Sequence, residues 1–229
     1  MSDSNEPRAD LRDAIRSTGS VRSFTNRPVD DETVASILDD ARFAPSGGNR
    51  QPWRVAVVRD ESIRRDLGVA MRPVWDEYVR QSALGRTPFT VVEPAPDSLT
   101  STAPGNVPND LLDHITEIPV VLAVAADLSR IAMMDKDLDR PTLTGGASVY
   151  PFCWSILLAA RARDLGGVMT TFASRVEPAV APMLGLPTNH ALAATIFLGY
   201  PVKRTTKLTR NPVRAFTTRD RFDGPEFDA

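Results

Sequence analysis

The longest uninterrupted apolar stretch in the chain runs from Ile118 to Ala126. It is far too short to cross a bilayer, which takes a helix of about 20 residues. It carries no polar residue at alternate positions, so it does not suit a strand with one wet face. The segment Pro119–Asp127, PVVLAVAAD, therefore reads as a central strand covered on both sides. Any fold for this chain has to place other elements around it.

Those elements can be read in order. Residues 9–17, ADLRDAIRS, suggest a short helix. Residues 31–43 place Val34, Ile37, Leu38 and Ala41 on one helical stripe, with Asp30 or Asp31 positioned to cap it. Pro45 ends that helix and opens a glycine loop, PSGGNRQPW. Arg54–Val58 is a strand candidate. A long helix bearing Trp75 and Tyr78 fills 61–83, with Pro73 as a place for a kink. Residues 86–110 hold five prolines and little periodicity, so they read as a long loop covering the site. A helix follows over 146–163. Pro151 suits its first turn, so the regular part begins near Tyr150 and stops at Asp164–Gly167. Further along come a strand at 168–172, a helix at 176–184 ending in Gly185, and a last core strand at 191–201. The tail, 203–229, is a polar arm with aromatic anchors at Phe216, Phe222 and Phe227. The first nine or so residues read as a flexible terminus. The sum is a single α+β domain spanning 1–229, with helices packed around a mostly antiparallel or mixed sheet.

Bulk properties exclude several roles. A formal net charge of -2, with basic residues scattered, gives no electrostatic case for nucleic acid. Nothing in the hydropathy supports membrane association. MSDSNEPRAD shows no apolar run behind a basic flank, so a cytoplasmic location is expected. One cysteine rules out an internal disulfide or a multi-cysteine metal cluster.

Side-chain catalysis has no evident carrier. His114 and His190 sit in no metal-ligand spacing. Cys153 lies in an apolar helix and reads as core packing. There is no nucleophile elbow, dinucleotide fingerprint or phosphate loop. An enzyme built this way must borrow reactivity from a cofactor. Two segments suit an anionic, planar one. Ser20-Val21-Arg22, with Arg16 just before, offers a hydroxyl and guanidinium groups for a phosphate or a polar ring edge. Taken alone, however, this stretch is better read as a solvated helix end. Pro45–Trp53 is more telling, because two glycines allow close backbone approach while Ser46, Asn49 and Gln51 gather donors and acceptors in one loop.

Pro45, Ser46, Asn49, Gln51, Pro52 and Trp53 form P-S-x-x-N-x-Q-P-W without a gap. Ser20, Arg22 and Phe24 precede it. L-L-A-A-R-A-x-x-L-G at 157–166, LGLP at 184–187 and FLGYP at 197–201 follow. In this order the chain resembles the FMN-dependent nitroreductase family from about residue 10 to about residue 215.

That resemblance implies a nitroreductase-like fold and a two-fold homodimer with FMN at the subunit interface. It implies that Ser20 and Arg22 hold FMN from their own subunit. The Pro45–Asn49 loop, with Pro45, Ser46, Gly47 and Asn49, would reach the flavin of the partner, and Gln51 is a further cofactor-binding residue. Met169–Ala173, including Thr170, Thr171 and Phe172, would face the ring near N5. Arg210, with Lys207 as a second candidate, would grip the phosphate. The chain departs from the family at Thr18-Gly19, where a basic pair usually stands, and Arg16 is the candidate replacement. The implied activity carries two electrons from NAD(P)H to a nitroaromatic, a quinone or a similar electron-poor small molecule. Other flavin chemistry on the same fold (dehalogenation, flavin breakdown) and non-catalytic flavin binding are the alternatives.

Overall fold

The computed structural model describes residues 11–93, 107–204 and 207–227. Among them seven α-helices and four strands follow one another: α1 (Leu11–Ser17), α2 (Asp31–Ala41), β1 (Trp53–Val58), α3 (Glu61–Ala83), α4 (Asp110–Asp113), β2 (Val120–Asp127), α5 (Tyr150–Arg161), β3 (Gly166–Thr170), α6 (Phe172–Arg175), α7 (Glu177–Leu184) and β4 (His190–Gly199). The strands form one sheet in the order β1-β2-β4-β3. Every pairing within it is antiparallel. Among the described residues, Ser20 and Gly167 form an isolated parallel bridge.

The apolar run is the middle of this sheet. Val120 through Ala126 are all buried. Val120, Leu122, Val124 and Ala126 face α2 and α5, while Val121 and Ala123 face the side of α3, α4 and α7. Each fully buried Val or Leu contributes on the order of 1.5–3 kcal/mol. Two-sided cover is why the segment lacks alternation. On β4, Ala194, Ile196 and Leu198 belong to the α2/α5 core, yet Leu192 belongs to the other one. The register explains this. Val124 pairs with Ala194 but Ala125 pairs with Leu192, so Ala193 is bulged and the facing parity switches.

Helix starts follow their caps. Asp30 accepts from the Thr33 amide at 2.7 Å to open α2. Asp60 accepts from the Ser62 and Ile63 amides to open α3, and Asn109 does the same for α4 from Leu111 and Leu112. Gly185, at φ 60, closes α7 in the left-handed region. The buried Arg64 of α3 binds only backbone oxygens there: its Nε donates to Val58 O at 2.8 Å and its Nη1 to Ile118 O at 2.8 Å. It thereby ties α3 to the end of β1 and the approach to β2.

Some expected boundaries shift, while the regular part of α5 begins at Tyr150 as expected. The strand read at 168–172 is β3 at 166–170, because Thr171 turns the chain and Phe172 already opens α6. The helix read over 146–163 is a 3-10 turn at Thr144–Ser148 followed by α5 from Tyr150. α3 runs through Pro73 without a break in the helix. The loop read at 86–110 ends where Asn109 caps α4, and residues 94–106 lie outside the described part, as do 1–10. The loop's near edges are pinned to α3. Buried Gln81 accepts from the Phe89 amide at 2.7 Å through Oε1, and buried Asp76 accepts from the Val107 amide at 3.2 Å through Oδ1.

Candidate functional site

Arg22, Thr170, Thr171 and Phe172, far apart in sequence, come together around one cleft of about 610 Å³. Met169, Trp75, Tyr78 and the start of α4 at Asn109–Leu111 complete its lining. The corner where β3 gives way to α6 builds the polar side. Thr170 ends the strand, and its buried Oγ1 has no hydrogen-bond partner. α6 also begins without a side-chain cap. The opposite side is aromatic. Trp75 and Tyr78 stack at 5.7 Å, and Phe172 lies 6.1 Å from the first ring and 6.2 Å from the second. Trp75 Nε1 is buried and unpartnered as well. Buried polar atoms are normally satisfied, so two orphans, one on each side of the cleft, point to a ligand with complementary polar edges. A flat, partly apolar ring with heteroatoms along its rim fits both walls.

Ser20 stands beside this cleft, exposed and bridged to Gly167, but does not line it. Pro45, Ser46, Gly47, Asn49 and Gln51 form a separate loop between α2 and β1, and none of them lines the cleft. The loop is tightly built. Ser46 Oγ accepts from the Gln51 amide at 3.0 Å, Ser148 Oγ accepts from the Gly47 amide at 3.0 Å, and Asn49 Oδ1 accepts from Gln51 Nε2 at 3.1 Å. Gly48, Asn49 and Gln51 all have positive φ, at 58°, 50° and 48°. Trp53 anchors the loop's end by stacking on Phe152 at 4.6 Å with an interplanar angle of 1°. The backbone is thus held firmly while Asn49 and Gln51 stay exposed and Ser46 is half-buried.

Arg16 is exposed on α1 beside Leu11, Arg12 and Ile15, away from the cleft. Lys207 and Arg210 are exposed on the C-terminal arm, where Arg210 donates only to Thr209 O. The two histidines and the cysteine stay out of the cleft lining. His114 pairs with Glu117 at 3.2 Å, and that hydrogen bond raises its pKa. Burial pushes the Cys153 thiol up to about 12, which removes it as a nucleophile. Among the described residues no cluster of His, Cys, Asp or Glu is built to hold a metal ion.

The cleft members that motif reading missed are Trp75, Tyr78 and the Pro108–Leu111 run. They come from α3 and the α4 cap and belong to no contiguous pattern. The only signal in sequence was two aromatic residues on a helix that is otherwise mostly polar.

The Nitroreductase family model matches residues 15–200. The chain therefore belongs to the nitroreductase family. It is 32% identical over 184 residues to a 5,6-dimethylbenzimidazole synthase of Rhodospirillum rubrum, covering 79% of this chain and 77% of that protein. It is 30% identical over 207 residues to an NADH dehydrogenase of Thermus thermophilus, covering 86% and 89%. Its fold matches the NADPH:FMN oxidoreductase of Vibrio harveyi solved with NAD+, at a TM-score of 0.65 and 21% identity over 92% of this chain and 76% of the other. The α+β nitroreductase-like fold and membership of an oxidoreductase family follow. Among the described residues no helix is long and apolar enough to cross a membrane.

Proposed function

We propose that the chain is an FMN-dependent oxidoreductase that moves two electrons from NAD(P)H to an electron-poor small molecule, such as a nitroaromatic or a quinone. One observation carries this: the cleft combines Arg22, an unsatisfied Thr170 hydroxyl and an aromatic wall, a set that suits a charged, planar cofactor. FMN, when bound, would supply the two-electron redox chemistry that no side chain of the cleft offers. For a nitro group the net balance is RNO2 + NAD(P)H + H+ to RNO + NAD(P)+ + H2O.

The residues of the chain bind, orient and exclude water. Thr170, Thr171 and the amides at the β3–α6 corner offer hydrogen bonds to the ring's polar edge, a fixed polar environment that needs no reorganisation during reaction. Trp75, Tyr78 and Phe172 keep one side dry. Ser46, Asn49 and Gln51 cannot serve the cleft of their own chain from where they stand. They act on the cleft of a second copy in a homodimer, with Pro45 and Gly47 setting the loop's approach. Arg16, Lys207 and Arg210 remain candidates for the phosphate. A cytoplasmic setting, where NAD(P)H is supplied, fits this activity.

Similarity to a synthase supports a second reading, in which the same cleft performs flavin chemistry other than acceptor reduction. Anaerobic NADH and NADPH oxidation by the FMN-loaded protein, with and without a nitroarene and a quinone, separates the readings. Acceptor-dependent turnover is expected. Bound FMN with no turnover on either acceptor would contradict the proposal.

A further inference from the structure

The long helix α3 carries its two cleft residues between two pairs of largely buried polar ones. Arg72 and Asp76 flank Trp75, while Glu77 and Gln81 flank Tyr78. None of these four lines the cleft. Asp76 and Gln81 are only 1% and 2% exposed.

The first pair grips Val107 by both of its backbone groups. Asp76 Oδ1 accepts from the Val107 amide at 3.2 Å, and Arg72 Nη1 donates to Val107 O at 3.0 Å. Arg72 Nη2 also donates to Asp113 Oδ1, and Asp113 Oδ2 accepts from the Asn109 amide at 2.8 Å. The segment held this way runs directly into Pro108–Leu111, which lines the cleft. Asp76 Oδ2 is buried without a hydrogen-bond partner. A buried carboxylate with one oxygen unpaired is unfavourable, so stability alone does not account for it.

The second pair holds Phe89. Gln81 Oε1 accepts from the Phe89 amide at 2.7 Å, and Gln81 Nε2 donates to Glu77 Oε1 at 2.9 Å. Phe89 sits at φ 57, a left-handed conformation that a bulky side chain rarely adopts. Its ring lies 6.5 Å from that of Tyr78 and 5.2 Å beneath the Arg175 guanidinium. Arg175 ends α6, the helix that Phe172 opens, and meets Glu77 Oε1 at 3.8 Å. Residues in such conformations persist where their surroundings over-determine them, and they cluster at ligand sites. Both clamps therefore act on the cleft wall from outside the cleft.

We propose that Asp76 and Gln81 are positioning residues that fix Pro108–Leu111 and Phe89 against the Trp75–Tyr78 wall, and so restrict the cleft to flat aromatic acceptors. This rests on the acceptor-reducing reading above. Walls fixed before binding leave little to be ordered when a flat ring enters. A puckered saturated ring of similar size would need them to part.

The test uses the full-length FMN-loaded protein as wild type, Asp76→Leu, Asp76→Asn and Gln81→Met. Without reductant, calorimetric titration gives affinities for nitrobenzene and nitrocyclohexane. With NADH or NADPH, steady-state kinetics gives KM and kcat for nitrobenzene. Wild type should bind nitrobenzene at least about 10-fold more tightly than nitrocyclohexane. Asp76→Leu and Gln81→Met should lose most of that preference and raise the nitrobenzene KM by on the order of 10-fold, with kcat within about twofold. Asp76→Asn keeps an oxygen for the Val107 amide and should stay within about threefold of wild type. An unchanged preference in Asp76→Leu and Gln81→Met would overturn the role, as would a wild type that does not distinguish the two rings. A loss in Asp76→Asn equal to that in Asp76→Leu would overturn the clamp on Val107. Equal falls in FMN and nitrobenzene affinity would mark a structural effect and overturn the role too. A wild type that binds nitrobenzene selectively but reduces it with neither nucleotide would instead contradict the functional reading, and the titrations would still decide the clamps.

Discussion

At the scale of single residues, Asn49 is the most informative. It sits at φ 50 and its side-chain oxygen is held by Gln51. Its neighbour Arg50 folds back to donate to Gly47 O at 3.2 Å. Asn49→Ala should weaken FMN binding by about 1–3 kcal/mol, since a polar edge of the ring loses its partner. Arg50→Ala should cost about 0.5 kcal/mol or less. Asn49→Gly keeps the backbone conformation, so if Gly binds FMN as well as Asn does, the side chain only shapes the turn. FMN titration of the three variants decides it. This residue was legible because its role follows a motif. Asp135 was not. It is buried in the 131–148 loop, accepts from Thr144 Oγ1 at 2.5 Å and the Leu143 amide at 2.8 Å, and pairs with Arg140 at 2.7 Å. These contacts hold its carboxyl well below 3.8, the Thr144 hydroxyl contributing most. A lowered folded pKa means full stabilisation above the ordinary carboxylate value and progressive loss as pH falls below it. Thermal melts from about pH 7 down to about pH 3 should therefore fall more steeply for wild type than for Asp135→Asn. Parallel curves would contradict that linkage. Nothing in Met134–Thr144 signals such a hub, because its partners meet only when the loop closes.

At the scale of elements, sequence reading does best where one physical rule acts alone. β2 was visible because two-sided burial removes polar alternation, and α2 because its apolar stripe and its Asp30 cap agree. Reading fails where two rules compete. VMTTF has strand propensity throughout, but the backbone turns at Thr171, and that turn creates the cleft's polar corner. The Ala193 bulge is likewise silent in an apolar stretch, since Leu192 and Ala194 look alike as core residues. The edge strand β3 carries a sharper requirement. A Cβ on Gly167 would lie 2.5 Å from Leu198 Cδ2, 2.7 Å from Phe197 O and 3.0 Å from Leu157 Cδ2. The carbonyl belongs to the paired strand and cannot swing aside. Gly167→Ala should cost about 1–3 kcal/mol through overpacking, read as a lower urea midpoint. An unchanged midpoint would mean that β3 and β4 can separate more easily than their pairing implies.

At the scale of the whole molecule, two observations bear on the proposed homodimer. None of the residues of the Pro45–Gln51 loop lines the chain's own cleft. Large apolar side chains also stand in water: Leu11 is 68% exposed on α1, Met134 84% in the loop before α5, and Phe216 69% on the C-terminal arm, with Trp154 partly exposed on α5. In the proposed homodimer these side chains would be covered if the interface brings them into one contiguous patch. Light scattering should give twice the chain mass of 25.0 kDa, and a monomer that still binds FMN tightly would sink the shared-site idea. The family and its sheet were legible because ordered motifs survive in sequence. The cleft's aromatic wall was not, because it is assembled from segments that meet only in the fold. The central claim, that this fold holds FMN to do redox work, is tested most directly by the visible absorption spectrum of the purified protein, followed by identification of the flavin released on denaturation. The account predicts bound flavin, released as FMN at about one per chain; a colourless protein that takes up no FMN when it is added would contradict it.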